Sequence, residues 1–309
     1  MPNILMKEMN FSRRKFIYGI SCSICSSLIL PSCAEVPMTN RKQLNFYKYN
    51  LPIILPSGGA GGLPQIYANE DHLNKIIESQ YKIFINKARS RNILIENSSD
   101  SKKLKEIGFH ISNSINKYYN SISQSNPVRN FKWEFSLIDA KDKEGNLVKN
   151  AWCMPGGKIA FYTGIMPIAK NEDGIASIMS HEISHAFARH TVEKLTQHSI
   201  VSLGTQGLLS SGYGKVITQN PDIYNSVLQF GIMLPFSRTM ESEADYMGLV
   251  FMNLAGYNLN DSVEVWKRMQ LSNQGKNTPE FMSSHPSPEN RIKNLQNWIK
   301  EVKSNYPTV

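Results

Sequence analysis

Residues 177–190, SIMSHEISHAFARH, set two histidines and a glutamate into an otherwise apolar run of helical period, and no other stretch limits the chain's fold as tightly. Burying such groups is costly unless each is paired or binds a metal. On a continuous helix each residue advances about 100°, so His181 and His185 lie about 40° apart and one turn along, where two imidazoles can hold one metal ion. Glu182 sits beside them. Zinc lowers the pKa of a bound water from about 15.7 to about 7, and a glutamate at this position can accept its proton as it attacks a carbonyl carbon.

Such a site needs a third protein ligand. His190 lies about 140° round a continuous helix from His185 and is expected to point away. A metzincin pattern would require Gly at 188 and His at 191, where the chain has Ala188 and Thr191. The stretch SRTMESEADYMG, residues 237–248, offers the alternative. Glu241 and Asp245 are one turn apart, so Glu241 can complete a zinc site while Asp245 holds a ligand histidine by its second ring nitrogen. Glu243 faces elsewhere on this wheel and reads as an exposed helix charge.

Around these motifs the chain divides into three parts. Residues 1–33 carry Lys7, Arg13, Arg14 and Lys15 ahead of an apolar stretch from Phe16 to Leu30, which fits an export signal and is short of the about 20 residues a span requires. SRRKFI resembles a twin-arginine signal, the alternative being a general signal with adjacent arginines. LPSC resembles a lipobox ending at Cys33, with Ala34 after it leaning towards the outer membrane. Cys22 and Cys25 fall inside the signal, and Cys153 is left as a packing thiol. Residues 34–68, rich in Pro and Gly, read as a tether or irregular wrap.

Residues 69–305 form the expected domain. Apolar residues recur at three and four residue intervals from Leu73 to Ala88 and from Leu104 to Ile122, predicting two long amphipathic helices. FKWEFSLIDA, LVKNAWCM and GGKIAFYTG predict a small β-meander of about three strands. From Gly164 onward the pattern is mostly helical, giving an α+β fold that is mainly α. The stretch from about Ser199 to Phe236 fits either a lid over the cleft or an ordinary buried helix pair. The net charge of +9 falls to +6 without the four basic and one acidic side chains of the signal, and the remaining lysines, such as Lys102, Lys103 and Lys105, are scattered on solvated faces. This leaves no nucleic-acid footprint.

HEISH, ESEAD, NAWCMPGGKIAFYTGIM and SHPSPENRI together resemble the zinc metallopeptidases grouped with the CAAX prenyl protease and HtpX, in their bacterial lipoprotein and periplasmic branch and the mitochondrial inner-membrane quality-control peptidase. The resemblance implies a gluzincin-like domain with one zinc ion on His181, His185 and Glu241, Glu182 as general base and then acid, and Asp245 behind a ligand. It also implies an endopeptidase of misfolded or misassembled envelope proteins, anchored on the periplasmic side through lipidated Cys33, with outer-membrane assembly machinery a possible partner. An extended substrate is expected to add to a strand of the NAWCMPGGKIAFYTG block, while Asn150, Gly156 and Gly157 equally fit a tight strand connection. The rival expectation is a chaperone or assembly factor that binds unfolded proteins with little hydrolysis; a scaffold with structural zinc fits less well, because two histidines and a glutamate leave a coordination position open. His285, made rigid by Pro286 with Ser287 and Pro288 opening the last helix, has three candidate roles: a latch on zinc's open position, a donor to the tetrahedral intermediate, or a structural tie.

Overall fold

The helical periods of the first half become two long helices, α1 Glu70–Ser90 and α2 Ser99–Ser121, each opened by a capping side chain, Asn69 and Ser98, that accepts a backbone N–H of the first turn. Their apolar stripes are the buried ones: Leu73, Ile77, Tyr81 and Ala88 on α1, and Leu104, Ile107, Ile111, Ile115 and Tyr119 on α2. The computed structural model describes residues 33–55, 65–199, 235–272, 279–286 and 290–309. The expected export signal up to Ser32, the Gly-rich stretch 56–64, the lid candidate between 200 and 234, and Ser287 and Pro288 lie outside the described residues.

The three strands expected from the sequence, β6 Glu134–Ile138, β7 Ala151–Met154 and β8 Lys158–Tyr162, form and are joined by a short β5, Leu94–Ile95. Their order departs from a sequential meander: it is β5-β6-β8-β7, with β8 parallel to β6 and antiparallel to β7. The polar turn explains the difference. Asp142 and Asn146 close a small loop bridged by Lys141 and Leu147, so the chain turns off the sheet instead of folding β7 back onto β6. Gly156 and Gly157 then make the β7–β8 turn with φ of 78° and 84°, a conformation side chains with a Cβ rarely adopt. This leaves β7 at the sheet edge.

Helix α3, Glu172–Phe187, is opened by Asn171 and buried along nearly its whole length. It packs against α4, Arg238–Leu254, opened by Ser237, with α5, Asn260–Ser272, and α6, Arg291–Asn305, behind them. Gly248 of α4 allows this close approach, since a Cβ there would come within 3.3 Å of the His181 backbone nitrogen. The architecture is therefore mainly helical α+β, and among the described residues no helix is long and apolar enough to cross a membrane.

Residues 33–55 and 65–68 lie along this body in two antiparallel pairs, β1 Cys33–Glu35 with β2 Lys42–Leu44 and β3 Ile53–Leu55 with β4 Gln65–Tyr67. Val36 and Ile53 are both fully buried, so the N-terminal segment contributes to the packed core.

Candidate metal centre

Helix α3 supplies three of the polar groups predicted from HEISH, and α4 supplies the partners from ESEAD. Their ligand atoms converge. His181 Nε2 and His185 Nε2 face each other at 3.0 Å, and the Glu241 carboxylate lies 3.4 Å from the first and 3.3 Å from the second. A tetrahedral zinc with bonds of about 2.0–2.1 Å separates its ligands by about 3.4 Å, close to these spacings. His285 Nδ1 is 3.1 Å from Glu241 and 3.4 Å from His181 Nε2, so four ligand atoms lie within 4.8 Å of one another. The four residues are buried. Glu182 Oε1 is also buried and has no hydrogen-bond partner, the nearest ring nitrogen being His285 Nε2 at 3.4 Å. A buried donor set with an unpartnered carboxylate oxygen beside it fits a divalent zinc ion, which His181, His185 and Glu241 would hold with Glu182 next to it as a proton acceptor.

The protonation of these groups reflects their crowding. Burial pushes the Glu182 carboxyl up to about 8, with the Glu241 charge adding to it and the His181 charge opposing. Burial lowers His181, but its hydrogen bonds to Asp245 and Glu241 prevail and hold it up to about 9. Burial likewise drives His285 down to about 4 against the pull of Glu241. Burial would raise Glu241, yet His285, His181 and His185 keep it well below the usual carboxylate range.

Asp245 accepts the His181 Nδ1–H at 3.0 Å, leaving Nε2 free for a metal. Arg291, whose part in the site the sequence did not reveal, clamps Asp245 from behind: Nε donates to Oδ2 at 2.6 Å and a terminal nitrogen donates to Oδ1 at 2.8 Å and to Glu241 at 3.0 Å. Its guanidinium also lies 3.3 Å over the Trp266 ring.

Two expectations need correction. His190 does not point away: its Nδ1 lies 2.8 Å from His185 Nδ1. Helix α3 ends at Phe187, Arg189 takes a left-handed φ of 55°, and a new helix starts at His190, so the continuous wheel does not apply. Glu243 is not an exposed charge either. It is 6% exposed and accepts His190 Nε2–H at 2.8 Å and Arg41 Nε–H at 2.6 Å, as well as the Thr39 hydroxyl.

Cys153 on β7 is buried, as its packing role requires, and its backbone N–H bonds to Glu182, bringing the edge strand against the site. His285 stacks on Phe281 at 4.3 Å. Its segment is docked on both sides, through Phe281 N–H to the Lys149 carbonyl at 3.1 Å and through Phe236 N–H to the Ser284 carbonyl at 3.0 Å.

A family model described as Peptidase family M48 matches residues 111–299, a span holding every group above except the Arg41 and Thr39 partners of Glu243. The chain belongs to peptidase family M48. Over 180 residues it is 36% identical to the mitochondrial metalloendopeptidase OMA1 of Saccharomyces cerevisiae, covering 57% of this chain and 49% of that protein. Over 242 residues it is 25% identical to the human mitochondrial metalloendopeptidase OMA1, covering 75% of this chain and 43% of that one. The beta-barrel assembly-enhancing protease of Escherichia coli strain K12 is 25% identical over 202 residues, 61% of this chain and 40% of its own length. The chain thus spans about half the length of the curated relatives it matches, or somewhat less.

Proposed function

We propose that this M48 chain is a zinc-dependent endopeptidase of the cell envelope, acting in quality control on misfolded or misassembled proteins, and allied within the family to the CAAX protease and HtpX group's lipoprotein branch. The observation that carries the reading is the convergence of His181, His185 and Glu241 beside the unpartnered Oε1 of Glu182. When bound, zinc supplies Lewis acidity that activates water near neutral pH and polarises a peptide carbonyl. Glu182 takes the proton of the attacking water and returns it to the leaving amine, a task suited to a carboxyl whose pKa is raised by burial. Asp245 and Arg291 keep the His181 ring in the tautomer that leaves Nε2 free. The edge position of β7 supports backbone pairing of an extended substrate along it, which recognises unfolded chain without demanding one sequence.

A reporter protein offered in folded and unfolded forms tests this reading. The zinc-loaded chain is expected to cleave the unfolded form far faster. Tight binding of the unfolded form with no cleavage would replace the enzyme by a chaperone.

In the described form His285 offers a fourth ligand atom, which supports the latch among its three roles. His285→Ala is then expected to raise the cleavage rate, about tenfold for a latch favoured by about 1.4 kcal/mol. Slower cleavage at full zinc occupancy would make His285 the donor to the intermediate, and an unchanged rate with lower stability a structural tie.

Anchoring belongs to the same reading: lipidated Cys33 holds the enzyme on the periplasmic side of a membrane, the outer one in this reading, with the beta-barrel assembly role named for the Escherichia coli relative as its model. Cys33→Ala should release the protein from the membrane fraction. Unchanged association, with no lipid on the parent, would remove the anchor.

A further inference from the structure

His185 is placed as a zinc ligand through Nε2, so its Nδ1 carries the proton and must donate it. The acceptor is His190 Nδ1 at 2.8 Å, which makes His190 an Nε2–H tautomer, and that proton goes to Glu243 Oε2 at 2.8 Å. Each bond fixes the direction of the next. The chain of donors ends on the N-terminal hairpin, where Arg41 Nε donates to the same Glu243 oxygen at 2.6 Å and Thr39 caps the other oxygen. Arg41 is itself held by Glu193, which accepts its two terminal nitrogens at 3.1 and 2.7 Å. The arginine therefore stands between two carboxylates that are 5% and 6% exposed. Without it both would be buried next to each other with less compensation, and Glu243 would have less reason to remain in place as an anionic acceptor.

We propose that the N-terminal hairpin is part of the metal site: Arg41, acting through Glu243 and His190, fixes the ring and tautomer of His185 and so sets how tightly the chain holds zinc. His181 is oriented from within the domain by Asp245 and Arg291, whereas His185 is oriented by a segment that begins at Cys33. Arg41 and Glu243 are positioning residues, with no contact to substrate in this scheme. Any pull on the hairpin that draws Arg41 from Glu243 is transmitted to a metal ligand.

The inference rests on the zinc-ligand reading of His185, and the experiment separates the two. Zinc affinity is measured by competition with a chromophoric chelator on full-length parent, Arg41→Ala, Glu243→Gln, the double variant and His185→Ala, together with the melting temperature of each metal-free protein and the imidazole 15N shifts. Arg41→Ala and Glu243→Gln are each expected to weaken zinc binding about 10–100-fold, as loss of an outer-shell partner does. The double variant should be little worse than either single one, because both act on one relay. In Glu243→Gln, which keeps the side-chain volume and guards against a misfolded Arg41→Ala, the neutral amide holds Arg41 less firmly and can turn its NH2 towards His190, so the His190 signals should no longer be those of a single Nε2–H tautomer. If His185→Ala loses zinc while both relay variants bind within twofold of the parent, the relay is overturned and the ligand set stands, whatever the melting temperatures do. If His185→Ala binds zinc like the parent, the ligand reading itself fails.

Discussion

Glu182→Gln is expected to lower kcat by about a hundred- to ten-thousand-fold while the protein keeps its full complement of zinc. The substitution preserves the shape of a side chain that is 1% exposed, and it removes a carboxylate whose Oε1 is buried beside the ligand cluster with no hydrogen-bond partner. Glu241 and Asp245 are already committed to histidines and to Arg291, so neither can take over the proton. Metal content and cleavage of an unfolded substrate, measured on one preparation, check the result. Cleavage at the parent's rate by a metal-loaded variant would remove Glu182 from the chemistry.

Glu241→Ala should fail earlier, at metal binding. The carboxylate faces both histidine nitrogens at 3.4 and 3.3 Å and is fully buried, so its loss removes a ligand and leaves the nearby rings without their shared anion. Zinc affinity is expected to fall by more than the about 100-fold that marks the upper range for an outer-shell change. Metal analysis after dialysis measures this directly. A variant holding zinc as tightly as the parent would mean that another group is the third ligand.

How much of this was legible beforehand follows from what each inference required. His181, His185, Glu241 and Asp245 could be grouped from spacing alone because each pair sits four residues apart on a helix that runs unbroken through both members. His190 lies past a break. Extending the α3 wheel across Ala188 and Arg189 turned a ring that touches His185 into one that faced elsewhere, and no Gly or Pro marks the left-handed residue responsible. Glu243 failed for a related reason: its partners are His190 beyond that break and Arg41 far along the chain, so its own helix gave no sign of burial. Arg291 was visible within SPENRI, yet periodicity says nothing about which cluster a helix's first residue meets. The strands themselves were readable, but the insertion of β8 between β6 and β7 depends on where the 141–147 loop sends the chain, and alternation is blind to that.

The edge strand β7 has a further consequence. A strand with an open side offers unpaired N–H and C=O groups to any other strand, including one from a second copy of the chain, and exposed edges are a common start of aggregation. Here the segment bearing His285 is stitched to the chain just before β7 through the Phe281 N–H bond to Lys149. The β7 residues are only 0–5% exposed, so pairing along that edge, whether by another extended chain or by a second copy, requires neighbouring segments to move first.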